Sequence, residues 1–252
     1  MTFQEFLIKW YGKRVQDFTL EKVDGLHLLP EKINENQLPN LDKCQKCPAR
    51  IFRQDIPFWL GPHSNKKLMV IAQDAGKGEE DYGLNTVFSI HNAHTNIQAY
   101  FEASHKHKGY YDLFRDLIGN ENFLEYIYFT DIVKCAYSTF GKVAFSETVC
   151  KDELFFEIQE VNPEAILLMG KPSQNAFKNL SLQFGNDFEE IFKDTCFINS
   201  RGTVSFTHYK VAGKNVFFVP HLIGNLHIAK ENKEAFEIFK SGLIAYIHSK
   251  IN

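Results

Sequence analysis

The chain has 252 residues, of which 44% are hydrophobic and 14% aromatic, and its formal net charge is -3. That apolar supply suffices for the core of an α/β domain and excludes a disordered chain. The weak negative charge excludes a polyanion binder held by an overall basic surface, so any contact with nucleic acid has to rest on local clusters. His105-Lys-His-Lys108, Lys134 with Lys142, and Lys210 with Lys214 are the candidates.

Residues 1–42 read as a helical N-terminal extension that ends in the polar connector Asn34-Glu-Asn-Gln-Leu-Pro39, and residues 43–252 as the main domain. The first ten residues carry charge within their apolar run and lack a small-residue cleavage site, and no run approaches the roughly 18 apolar residues of a membrane span. A cytoplasmic protein is expected, which suits thiols left reduced. Four short apolar runs, 67–72, 126–133, 165–169 and 215–220, each read as a buried strand. Helical patterns fall between them. Ser146 is a fair N-cap for a segment carrying Cys150, Leu154, Ile158 and Val161 at helical spacing, which Asn162-Pro163 stops. A second helix starts near Pro172 and runs to Leu180, and a last one, over about 230–248, places Phe236, Phe239, Leu243 and Ile247 on one side. This alternation predicts a three-layer α/β/α fold with a mostly parallel central sheet, whose chemistry should lie just beyond the carboxyl ends of its strands.

Four of the five cysteines, Cys44, Cys47, Cys135 and Cys150, suggest a metal centre. The close pair can bind one metal atom from a single turn, and two later thiolates can close the cage if the fold brings them near. A strand end before Cys135 and a helix start at Cys150 make that convergence plausible. The residues alone leave zinc and an iron-sulfur cluster both open. Cys196 has no partner at ligand spacing and reads as a buried filler residue.

Three strand ends carry polar residues. The first runs into Ala72-Gln-Asp-Ala-Gly-Lys-Gly, a small-residue loop with Asp74 at its start; the second carries Thr130-Asp131 before Lys134-Cys135; the last ends in Pro220-His221. Singly, these are a surface turn and a structural histidine. Two aspartates and a histidine at one edge of one sheet would be a site.

In this order of elements the chain resembles the uracil-DNA glycosylase superfamily, particularly its iron-sulfur family 4 branch, over about residues 43–250. The resemblance rests on Cys44/Cys47, the loop from Ala72 to Gly83, Asp131 with Val133-Lys-Cys135, Cys150, the stretch from Glu153 to Gly170, and His221. It implies a [4Fe-4S] cluster on the four cysteines, DNA as the partner, a monomeric enzyme, and monofunctional hydrolysis of the N-glycosidic bond of a flipped base. By this likeness Asp74 orients water or stabilises the oxocarbenium, with Glu79 and Glu80 as runners-up, and His221 stabilises the departing base anion. Phe88 stacks on the base, and Gln73, Ala75 and Gly76 line the base pocket.

Two departures from the family pattern redirect the expected substrate. Where the family reads uracil with Asn, this chain has Asp131, which lacks the amide donor for uracil O4 but accepts from the exocyclic N4 amine of cytosine. Gly76 leaves room beside C5, so the expected base is a C5-modified cytosine, hydroxymethylated or glucosylated as in phage DNA, and the expected role antiviral defence. Where the family has Pro-Ser after its histidine, this chain has Leu222-Ile223; Leu222, Ile223 and Asn225 are the expected DNA contacts, the apolar ones as a wedge. The alternatives are a uracil-DNA glycosylase of base excision repair and a non-catalytic iron-sulfur DNA-binding protein.

Overall fold

The computed structural model describes residues 21–23, 26–28, 66–74, 105–119, 123, 126–133, 150–181, 188–199, 202–222 and 233–251. In chain order these hold β1 (Glu21–Val23), β2 (Leu26–Leu28), β3 (Leu68–Asp74), α1 (His105–Ile118), β4 (Ile127–Val133), α2 (Cys150–Val161), β5 (Ala165–Met169), α3 (Gly170–Ser181), β6 (Glu189–Asn199), β7 (Gly202–Val211), β8 (Lys214–Val219) and α4 (Lys233–Ile251). A six-stranded sheet has the order β4-β3-β5-β8-β7-β6. Its first four strands are mutually parallel, and β7 and β6 add an antiparallel end.

The three layers follow from strand alternation. Leu68, Val70, Ala72, Ile127, Phe129, Ala165, Leu167, Met169, Phe217 and Val219 form one core with Leu113, Phe114 and Leu117 of α1 and Leu243, Ile247 and Ile251 of α4. Their neighbours in sequence, among them Met69, Ile71, Ile166, Leu168 and Val216, are buried on the opposite face, where α2 and α3 pack. Burial on both faces explains why the four parallel strands read as continuous apolar runs.

All four expected strands form, β5 over the span read from the sequence. The last helix buries Phe236, Leu243 and Ile247 as its spacing predicts. Not foreseen were α1, whose opening reads as a charge cluster, and the β6–β7 hairpin, whose Glu189–Asn199 strand mixes charged and apolar residues without clean alternation. Register shifts in that hairpin, between Glu190 and Phe192 and between Thr195 and Phe197, account for the broken pattern. Cys196 falls within β6. In the N-terminal stretch expected to be helical, β1 and β2 instead pair antiparallel; its other residues lie outside those described.

Local stereochemistry ends the elements. At the end of α2, Asn162 takes a left-handed conformation (φ 45°) while its N–H donates to the Ile158 carbonyl at 3.1 Å, and Pro163 prevents continuation. Lys214 holds this turn, its Nζ donating to Asn162 Oδ1 at 2.8 Å and to the Pro163 carbonyl at 2.7 Å. Between β7 and β8 a two-residue loop, Ala212-Gly213, has positive φ at both positions, matching the twist of the strands it joins. Gly119 ends α1 at φ +72°, its N–H donating to the Arg115 carbonyl at 2.7 Å.

A buried histidine ties α4 to the antiparallel end of the sheet. Asn215 Nδ2 donates to the Lys250 carbonyl at 3.4 Å, which turns Asn215 Oδ1 toward His208. His208 therefore donates from Nε2 to that oxygen at 3.0 Å and accepts at Nδ1 from the Tyr246 hydroxyl at 3.0 Å. Burial holds His208 below its ordinary value of 6.5; the Asn215 bond acts the other way, and the charges of Lys250 and Lys210 add to the depression.

Two outcomes follow from these contacts. A Cβ on Gly119 would lie 2.8 Å from His248 Cε1 at a backbone angle L-residues avoid, so Gly119→Ala should lower stability by more than about 1 kcal/mol in urea unfolding. His208 is neutral in the fold but takes up a proton near its ordinary value once unfolded. Its contribution is thus intact above pH 6.5 and lost as pH falls through the depressed folded value. From about pH 7 to about pH 5, stability of the native protein should fall more steeply than that of His208→Gln; parallel curves would remove this role.

Candidate functional site

The carboxyl ends of the parallel strands share one rim. Ile71 pairs with both Thr130 and Leu168, and Leu168 with Phe218, so these four residues mark one level across β4, β3, β5 and β8. Counting along each strand, Asp74 stands three residues beyond that level and Asp131 one residue beyond it, while His221 follows the last residue of β8, Val219, by two. Asp131 is therefore set about 7 Å below the level of Asp74, where β3 ends. Sheet order separates β3, which ends in Asp74, from β8, which His221 follows, by two strand spacings, roughly 10 Å, and Asp131 from Asp74 by one. The helices after β3 and β5 lie on opposite faces, which leaves the crevice beyond their ends where open α/β sheets bind ligands.

Asp131 is 2% exposed. It shares a register level with Ala72 and, through β3, with Met169 and Val219, on the face that α1 and α4 cover. Gln73 alternates to the other face with Met69 and Ile71, so the side chains of Gln73 and Asp131 stand on opposite sides of the sheet. His221 is half-buried between Pro220 and Leu222.

Leu222 requires a correction. It is 3% exposed and packs into the core with Val219 and Phe217, so it is an anchor of the chain behind His221 and not a wedge for the duplex. Lys214 is also ruled out as a phosphate contact at this site: it opens β8 at the amino edge and is engaged with Asn162 and Pro163. Lys210, paired with Asn215 in the register, lies at that same far edge. The basic run at 105–108 fares differently. Asn215, near the start of β8, bonds the Lys250 carbonyl, and His248 Nδ1 donates to the Leu117 carbonyl at 3.0 Å. Both contacts hold the C-terminal ends of α4 and α1 at the amino edge, so α1 begins, with His105-Lys-His-Lys108, toward the carboxyl edge.

Ala75, Gly76, Glu79, Glu80, Phe88, Lys134, Lys142, Ile223 and Asn225 lie outside the described residues, as do Cys44, Cys47 and Cys135. Cys150 is the first residue of α2 and 5% exposed. Because α2 ends at the Asn162 turn on the amino edge, its Cys150 end lies at the carboxyl edge beside β4. A thiolate at a helix N-terminus is favoured by the helix dipole, so Cys150 suits a ligand role in a four-thiolate set.

A buried carboxylate on α2, not foreseen from the sequence, supports β4 from behind. Glu157 is 0% exposed. It accepts from the Tyr128 hydroxyl at 3.0 Å and from Thr130 Oγ1 at 3.2 and 3.4 Å. Burial, then the Glu157 charge and hydrogen bond, hold the Tyr128 hydroxyl well above its ordinary value of 10.0, so it stays protonated as a donor. The signal was present: position 157 lies within the stripe formed by Leu154, Ile158 and Val161, where a charged residue is out of place unless it has buried partners. Tyr128→Phe should therefore lower stability by about 1 kcal/mol in urea unfolding. An unchanged midpoint would mean this bond contributes nothing net. No family model matches this sequence, and no curated protein matches it.

Proposed function

We propose that this chain is a monofunctional DNA glycosylase, similar to the iron-sulfur family 4 branch of the uracil-DNA glycosylase superfamily, that excises a C5-modified cytosine and leaves an abasic site. The observation that carries this reading is the depth of the buried Asp131 below the end of β3, where Asp74 stands, with His221 two residues past the end of the parallel strand β8. A flipped nucleotide entering base first would bring its base edge to the floor and its glycosidic bond to the rim. At the floor, a carboxylate accepts from the N4 amine of cytosine and meets uracil O4 as acceptor against acceptor. At the rim, the bond between sugar C1′ and base N1 breaks with its electron pair leaving on the base. His221 stabilises that anion, Asp74 orients the water whose oxygen joins C1′, and a proton from the water ends on the base.

Phe88 would stack on the base, with Ala75 and Gly76 leaving room beside C5. The run 105–108 supplies positive charge for the phosphates, and Ile223 and Asn225 replace Leu222 as the expected duplex contacts. Cys44, Cys47, Cys135 and Cys150 would hold a [4Fe-4S] cluster, which when bound ties chain segments together without a part in bond cleavage. Among the described residues no helix is long and apolar enough to cross a membrane. A cytoplasmic, monomeric enzyme that attacks hydroxymethylated or glucosylated phage DNA is the role this reading gives it.

The test is a panel of duplexes containing uracil, cytosine, hydroxymethylcytosine or its glucosylated form, with alkali cleavage of abasic sites. Release of a modified cytosine is expected, and Asp131→Asn should gain at least about fivefold on uracil, as one lost donor–acceptor clash of about 1–3 kcal/mol implies. Release of uracil alone by the native protein would overturn the cytosine reading, and no release from any duplex would overturn the enzyme. Purified protein should be brown and carry iron and sulfide, with Cys150→Ser losing most of both; a colourless protein with stoichiometric zinc would overturn the cluster.

A further inference from the structure

We infer that Glu157 is a positioning residue for base choice, setting the depth and orientation of Asp131 through β4; this rests on the glycosylase reading above. Among the described residues β4 is the end strand of the sheet, hydrogen-bonded only to β3. Asp131 near the end of β4 must keep one geometry against a base. The second restraint comes from the opposite face. Tyr128 and Thr130 point away from the Asp131 side, and both donate to Glu157, so the residue immediately before Asp131 is fastened to α2.

The chemistry of this restraint sets it apart from ordinary packing. A fully buried carboxylate is poor value for stability compared with a leucine of similar volume, because its desolvation offsets most of what its bonds return. What it adds is direction: hydrogen bonds fix the strand along its axis and in rotation, whereas apolar contacts tolerate a slip. Glu157 also lies two helical turns from Cys150 on the same side of α2. The helix that would carry a cluster ligand at its start thus grips, midway along, the strand that carries the base reader.

The experiment is a double-mutant cycle on the full-length protein, with the ratio of modified-cytosine release to uracil release as readout. Glu157→Leu should remain cooperatively folded and lose at least about tenfold in that ratio, while Glu157→Gln, which keeps an acceptor, should stay within about threefold. In an Asp131→Asn background Glu157→Leu should change the ratio far less than in the native background, because residues that act through one another are non-additive. A purely structural role would lower both activities together and leave the ratio unmoved. Should Glu157→Leu fail to fold, Thr130→Val removes only the strand's hydroxyl and should lower the ratio in the same direction. A ratio unchanged in these variants while Asp131→Asn switches base choice would overturn the role of Glu157 alone. If Asp131→Asn leaves base choice unaltered, the base-reading assignment falls, and this inference with it.

Discussion

Parallel pairing of β3 with a strand on each side is the constraint on which the rest of the molecule depends. Parallel strands run the same way, so their carboxyl ends must gather at one edge, and their register decides how far each end protrudes. Residues as distant in sequence as Asp74 and Asp131 are brought to that edge by the strand ladders, and His221 follows the end of a strand in the same set. Their relative heights differ by whole residues because strand register is quantised. A single-residue slip of β4 against β3 would exchange Asp131 for Thr130 or Ile132 on that face, which is why what holds β4 bears so directly on the site.

The core strands were legible because burial on both faces fills them mainly with apolar residues, and β5, Ala165–Met169, is buried throughout. The end of α2 was legible for a stereochemical reason: Asn tolerates a left-handed backbone and Pro cannot extend a helix. The hairpin of β6 and β7 was not, since an end strand with irregular register need not alternate. The opening of α1 was hidden by its own composition, because His105 to Lys108 read as charge before they read as helix.

At the candidate site, residue types marked the strand ends at the carboxyl edge but not what lies behind them. Asp131 and His221 could be placed from the apolar runs that precede them. Leu222 could not, since nothing in Leu-Ile distinguishes an apolar residue that dips into the core from one that reaches outward. Glu157 escapes a periodicity that follows apolar residues alone, since it is the charged exception on an apolar stripe. Charges told a similar story: Lys214 is committed to closing a turn on the far edge, and only topology reveals which basic residues share an edge with the crevice.

The burial of Leu222 has a wider consequence for how His221 can work. With Val219 fixed in the sheet on one side and Leu222 sunk in the core on the other, the backbone that carries the imidazole is a short span clamped at both ends. The histidine can adjust by rotating about its own side-chain bonds, but it cannot travel. Its placement is settled when the chain folds, so in the proposed reaction none of the free energy of substrate binding would be needed to bring it there.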